Sequence, residues 1–395
     1  MPTSPAPTRP APHDYAAEAE ALAHWFDFSE ADVAASVAGC AAAAGQARSN
    51  RVAWFVPHAG SAFAGGIYTA LRIADFLRAR GIAQVICVVG APDVDDVRAQ
   101  IAVAWPELAA SCDIVLLRHV GEAPPPLGPL DAAFATLWMT ALPVLKVRDA
   151  RRKLYLMQDW EPEFYPAGSV SALVEATCRF GFHAVCGGPA VADAYREVGG
   201  TAEHFSYAVD LRRFHASRPP RTGAPRVFCY GRPSNPRNCF ELAAAALRDV
   251  KAALGERVDI VAAGADWDPA DHGLAGIVRN LGMLPLDGLG DLYRSADAAL
   301  CLSSSRVPSL VLLELMACGT PVVTTRNRHA AWMFEGFSGA VTESEPGRGA
   351  LAGALLRLLA DEARRRSQAA LARALVEARF GDWGNACRAV ERAIA

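Results

Sequence analysis

The feature that most constrains this chain is an alternation that runs, stops and starts again. From residue 51, short apolar runs alternate with longer helical patterns: "RVAWFVP" (51–57), "QVICVVG" (84–90), "DIVLLR" (113–118), "KLYLMQD" (153–159) and "HAVCGG" (183–188). That rhythm predicts βαβ units and a parallel sheet. Near residue 215 it gives way to "HASRPPRTGAP", which is polar and Pro-rich. A second series follows, through "RVFCYG" (226–231), "VDIVAAG" (258–264), "ALCLSS" (299–304) and "PVVTT" (321–325). We expect an α/β chain of two Rossmann-like domains, 51–215 and 226–380, joined by a linker at 216–225, with parallel sheets facing a central cleft. A tail and an Ala-rich helical segment (about 15–46) occupy residues 1–50, and a terminal helix occupies 381–395. Ligands of open parallel sheets bind beyond the carboxyl ends of the strands, so the cleft is the expected site.

A length of 395 residues suits two cores rather than one. A net charge of −3 gives no reason to expect nucleic acid as a partner. The ten cysteines form no C-x-x-C pair, and Cys87, Cys229 and Cys301 sit in apolar runs. Such cysteines act as small hydrophobes, so we expect a reducing cytosol and no metal site. "MPTSPAPTRPAPHDY" lacks an apolar core and is expected to be a disordered tail rather than a signal peptide. No run reaches the length of a membrane span.

The strand ends carry the chemistry. Gly65 and Gly66 immediately precede a helix start, where backbone N–H groups can approach an anion; the alternative is a plain βα turn. Arg232 and Arg237 flank the loop after "RVFCYG" and suit a diphosphate, unless they are simply solvated. In "SRVPSLVLLELMACGTPVVTT" (305–325), Ser309 is placed to cap a helix from Leu310 to Cys318 that Gly319 ends. Glu314 is the single carboxylate in that apolar run. Either it has an internal partner, such as a core arginine, or it faces the cleft and accepts a ribose diol. "YLMQDWEPEFYPAGS" (155–169) places Asp159, Glu161 and Glu163 among Trp160, Phe164 and Tyr165. That is a pattern for carbohydrate recognition, or a rigid capped loop. Asp93 and Asp95 read as first-turn acids of a helix rather than a metal pair, and His119 as structural rather than catalytic.

From residue 51 to the end, the motifs together resemble the GT-B glycosyltransferases of family 4. "SLVLLELMACGTPVV" is similar to that family's ribose-holding helix, with Glu314 as the carboxylate. "YAVDLRRF" (207–214) resembles its "NGVD-x-x-x-F" run, and "YGRPSNPRN" its diphosphate clamp, with Arg237 where lysine is commoner. "LGMLPLDGLGDLYRSADAALCLSS" (281–304) is similar to the stretch whose first residues, here Met283 and Leu284, face the nucleobase. "YLMQDWEPEFYPAGS" and "FCYGRPSNPRNCFEL" resemble bacterial rhamnosyltransferases that build rhamnan or S-layer glycans from dTDP-L-rhamnose. Two positions depart from the family: Arg306 stands for the first glutamate of its E-x7-E motif, and Gln158 for its catalytic histidine.

The resemblance implies a cytoplasmic, retaining, metal-free hexosyl transfer, with L-rhamnose moved to a cell-surface polysaccharide. It implies a nucleotide-sugar donor and a glycan acceptor, with peripheral membrane contact if that acceptor is lipid-linked. Arg232 and Arg237 then stabilise the leaving diphosphate, with Asp159 and Glu161 orienting hydroxyls. Gly65, Gly66, Met283, Leu284, Arg306, Ser309, Leu310 and Glu314 line the donor, and Gln158, Trp160 and Tyr165 the sugar or acceptor. No cofactor is expected. The alternatives are a non-catalytic subunit of this fold that binds a nucleotide or an active partner, and a sugar-nucleotide epimerase. The family resemblance also implies that the terminal helix crosses back to the first domain.

Overall fold

The computed structural model describes residues 15–58, 65–217, 223–307 and 309–395. The expected tail up to residue 14, half of the linker (218–222) and residues 59–64 of the glycine-rich loop lie outside the described residues.

The Ala-rich helical segment comprises two helices, α1 (Tyr15–Trp25) and α2 (Glu30–Ala44). Ser29 divides them. Its hydroxyl accepts from Asp32 N at 3.2 Å while Asp32 accepts from Ser29 N at 2.8 Å, a reciprocal cap that starts a new helix.

The first sheet contains β1 (Arg51–Pro57), β2 (Ala83–Val89), β3 (Asp113–Leu117), β4 (Leu130–Ala135), β5 (Ala150–Met157), β6 (His183–Gly187) and β7 (Thr201–Phe205). Their order is β3-β2-β1-β4-β5-β6-β7, and every pairing is parallel. Helices α3 (Gly65–Arg78), α4 (Val94–Ala102), α5 (Pro106–Ser111), α6 (Trp138–Leu145), α7 (Ser169–Thr177) and α8 (Pro189–Glu197) connect them. β1 and β4 to β6 are largely buried, as a sheet covered on both faces requires.

The second sheet contains β8 (Arg226–Tyr230), β9 (Asp259–Ala263), β10 (Arg279–Asn280), β11 (Ala298–Leu300), β12 (Val322–Thr325) and β13 (Thr342–Ser344). Their order is β10-β9-β8-β11-β12-β13, again all parallel. Helices α9 (Phe240–Leu254), α10 (Leu286–Arg294), α11 (Leu310–Ala317), α12 (Arg348–Ala360) and α13 (Glu362–Arg379) pack around it. Gly319, with φ +69°, ends α11 in the left-handed conformation that glycine favours.

α14 (Trp383–Ile394) returns to the first domain, where it packs against α3 and β7. Arg80 meets Glu391 at 2.9 Å, and Arg152 donates to Ala393 O at 3.1 Å. No described helix is long and apolar enough to cross a membrane.

α2 is pinned to the first sheet by one buried cation. Lys153 Nζ on β5 donates to Ser36 Oγ at 2.7 Å and to Leu145 O at 2.8 Å, and burial pulls its pKa down to about 8. Lys153→Ala strands both acceptors. It should cost about 1–3 kcal/mol, read as a lower urea midpoint; an unchanged midpoint would show that this anchor contributes nothing.

Candidate active site

Each sheet reverses its strand order once, between β1 and β4 and between β8 and β11. Loops leaving two neighbouring strands in opposite directions open a crevice there. In the second domain these loops are Gly231–Cys239 after β8 and Cys301–Ser309 after β11, and Ser304 N ties them by donating to Arg237 O at 2.9 Å.

Arg232 is exposed, and its guanidinium makes no hydrogen bond or ion pair among the described residues. Arg237 is three-quarters buried, with its guanidinium carbon 3.5 Å from the Phe164 ring centroid and Nε 3.8 Å from Asp159 Oδ2. Burial pushes its pKa below the usual arginine value, and Asp159 and Glu161 oppose that shift. No side-chain hydrogen bond engages Arg237 among the described residues. Two adjacent cations with unspent donors are suited to a polyanion.

Ser309 caps α11 as expected, accepting from Val311 N at 3.2 Å. Leu310 opens the helix, so its first N–H groups lie beside the two arginine loops.

Glu314 lies one turn deeper. Tyr293 donates its hydroxyl to the carboxylate, burial pushes the pKa up to about 7, and the positive charge of Arg213 opposes the rise. Arg213 is itself held by Asp287 at 3.1 Å, and Glu314 forms no ion pair among the described residues. The core-arginine alternative is therefore not what the structure contains. One neutral hydroxyl is the partner, and the carboxylate keeps a partly open face.

Met283 is two-thirds exposed on the loop after β10, with its N–H donating to Asp266 Oδ1 at 3.2 Å; Leu284 beside it is half-buried. They offer an apolar ledge at the sheet edge.

In the first domain, Gly65 and Gly66 begin α3. Gln158, after β5, donates Nε2 to Gly66 O at 2.8 Å, and a Cβ on Gly66 would stand 3.2 Å from that nitrogen. Gly66 thus lets Gln158 bridge the ends of β1 and β5. Tyr207 donates its hydroxyl to Gln158 O at 2.9 Å and fixes that backbone.

The loop after β5 departs from expectation. Glu161 is 2% exposed and accepts from Trp138 N at 2.5 Å and Tyr155 Oη at 2.7 Å. Burial raises its pKa to about 8. It caps the start of α6 inside the first domain and is not open to a substrate hydroxyl. Trp160 is likewise buried and offers no ring face to a sugar. Tyr165 Oη accepts from Trp138 Nε1 at 3.2 Å, with the two rings edge to face.

Asp159 faces the second domain. It takes hydrogen bonds from the Ser305 hydroxyl and the Val307 N–H, as well as from Trp160 N at 2.9 Å, and burial raises its pKa. Arg306 grips Glu163 Oε1 through Nη2 at 2.8 Å and Nε at 3.2 Å. These links between loops about 145 residues apart were not foreseen. The acidic–aromatic run marked the loop, but nothing in one sequence names a partner that distant. Ser305 was missed for the same reason, Tyr293 because nothing in the sequence pairs it with Glu314, and Phe164, expected in a sugar-recognition pattern, lies against Arg237 instead.

Asp93 caps α4, accepting from Asp96 N at 2.7 Å, and His119 packs on the Trp25 ring at 4.1 Å, so both structural readings fit. No group of metal-binding side chains occurs among the described residues. A groove of about 470 Å³ lined by Trp332, Phe334 and Phe337 involves none of the residues above.

Two parallel-sheet Rossmann-like domains with these crevices facing each other define a GT-B fold. HepE of Anabaena in complex with UDP and glucose has a similar structure, with TM-score 0.67 at 17% identity, covering 87% of this chain and 99% of that one. WaaG, a glycosyltransferase involved in lipopolysaccharide biosynthesis, gives TM-score 0.57 at 16% identity over 87% and 98% of the two chains. Residues 225–356 match the family model described as "WsaF, C-terminal domain". The chain is 42% identical over 303 residues to the O-antigen biosynthesis protein RfbC of Myxococcus xanthus, covering 75% of this chain and 23% of that protein. It thus spans about a quarter of that relative's length.

The buried Glu161 makes a pH prediction. Its folded pKa of about 8 lies above the ordinary 4.5, so its protonated form contributes stability at low pH that is lost as pH rises through about 8. Between those values wild type should lose melting temperature relative to Glu161→Gln, whose amide cannot ionise. A constant difference from pH 5 to 9 would refute this placement of the proton.

Proposed function

We propose that this protein is a retaining glycosyltransferase that moves a sugar from a nucleoside diphosphate donor to a glycan acceptor in polysaccharide biosynthesis. L-Rhamnose from dTDP-L-rhamnose is the donor we favour. The observation that carries the reading is the pair Arg232 and Arg237, side-chain donors unspent, at the strand-order reversal beside the start of α11. The WsaF-type second domain, the O-antigen relative and the UDP complex of HepE support it.

In this reading the nucleotide's pentose donates to Glu314, through its 3′-hydroxyl alone where the donor is a dTDP-sugar, the base lies on Met283 and Leu284, and the diphosphate meets Arg232, Arg237 and the Ser309 and Leu310 amides. Gly65 and Gly66 bring the α3 N-terminus towards the same phosphates. The bond from the sugar's anomeric carbon to the diphosphate oxygen breaks, and a bond to the acceptor oxygen forms on the same face. The acceptor's proton passes to the departing diphosphate. The arginines oppose the charge that develops, a term worth about 3–4 kcal/mol per donor group in comparable sites. Asp159 and Glu161 act indirectly: Asp159 by bracing Arg237 and the 305–307 turn, Glu161 by setting the loop from inside. Closure of the cleft excludes water from the donor.

A second reading is a nucleotide-binding module without transferase activity. The Glu163–Arg306 pair favours it, because it occupies Nε and Nη2 of the arginine that stands where the family has a glutamate.

Thermal shifts with dTDP, UDP, GDP, ADP and NAD test the donor. A ligand at 100 times its Kd adds about 2.7 kcal/mol. We expect a shift with dTDP that is lost in Glu314→Ala; no shift with any nucleotide would sink the reading. Binding without sugar transfer would favour the module. Because an ionised carboxylate accepts a pentose hydroxyl more strongly than a neutral one, dTDP affinity should rise more steeply through about pH 7 in wild type than in Glu314→Gln. Arg232→Ala should lower kcat by roughly 100-fold with the melting temperature unchanged; full turnover would remove Arg232 from the mechanism.

A further inference from the structure

The loop after β5 belongs to the first domain, yet its side chains end on the residues assigned above to the donor in the second. The guanidinium carbon of Arg237 lies over the Phe164 ring, 3.5 Å from its centroid. Glu163 holds one edge of Arg306. Asp159 fixes Ser305 and Val307, in the turn that leads to the α11 N-terminus.

We propose that this loop completes the diphosphate site of the second domain, with Phe164 and Glu163 as positioning residues for Arg237 and Arg306. The proposal rests on the nucleotide-sugar reading of the cleft.

The argument is geometric. A guanidinium carries its N–H donors in its own plane and its apolar faces above and below. A ring against one face fixes that plane without using a donor. Arg237 is held in this way: stacked on Phe164, with only a long 3.8 Å ion pair to Asp159 and no side-chain hydrogen bond among the described residues. A contact that served only to glue the domains would spend those donors across the interface. Glu163 takes Nε and Nη2 of Arg306 through one oxygen, which leaves Nη1 pointing away from the pair. The Arg306 side chain is only 17% exposed, so its orientation is set by the cleft and not by solvent. The donor site is therefore assembled from both domains, and opening them would release the plane of Arg237.

Calorimetric titration of wild type, Phe164→Leu, Phe164→Tyr and Glu163→Gln with dTDP, UDP and thymidine tests this. For the nucleotide that binds wild type, Phe164→Leu should weaken diphosphate binding about tenfold. Thymidine binding and melting temperature should be unchanged, and Phe164→Tyr should restore affinity. Glu163→Gln should weaken binding about threefold. Equal dTDP affinity in Phe164→Leu and wild type would overturn the proposal while leaving the donor reading intact. So would a parallel loss of thymidine binding, which marks a merely structural role. A diphosphate-specific loss in a protein that transfers no sugar would sustain the positioning role and sink the transferase. Wild type that binds neither nucleotide would overturn both.

Discussion

Everything in this molecule follows from strand direction. Both sheets are wholly parallel, so every strand in a sheet delivers its outgoing loop to the same edge. Each sheet reverses its order once, and only there do neighbouring loops part. Loops far apart in sequence, such as those carrying Arg237 and Ser304, therefore meet.

Buried polar groups divide into two kinds. Lys153 and Glu161 each make two hydrogen bonds, and their partners are elements of one domain: α2 on β5, and the start of α6 against the loop after β5. Such groups specify how the domain packs. Arg237 and Glu314 are incompletely partnered. One is stacked with its donors unspent, and the other receives a single hydroxyl. Desolvating a charge without full compensation is costly. It is tolerable where a ligand supplies what is missing.

How much of this was legible in the sequence depended on periodicity and caps. β1, β2, β3, β5 and β6 are apolar, bounded runs and were read within a few residues. β4, "LDAAFA", was missed because alanine has no strand preference to show, and β7, "TAEHF", because an edge strand needs little apolar surface. The Ser29 cap, in "FDFSEAD", was overlooked beside the Ala-rich runs that flank it. At the candidate site, the positions of Arg232, Arg237, Ser309 and Glu314 were legible because each follows a strand end or a cap signal. Glu161 and Trp160 were misplaced because an acidic–aromatic run looks the same whether its side chains point out or in. Burial of a carboxylate depends on partners, here Trp138 and Tyr155, and the Trp138 N–H is offered by another strand's loop.

The return of α14 has a mechanical consequence. The chain passes between domains twice, once after β7 and once between α13 and α14. The two passages are bonded to each other, with Val209 N donating to Phe380 O at 2.7 Å. A pair of bodies joined at one double-stranded point resists sliding and twisting, but can still rotate about an axis through that point. The cleft therefore has the kinematics of a book with a single spine, and any opening of it is a rotation about the neighbourhood of Val209 and Phe380.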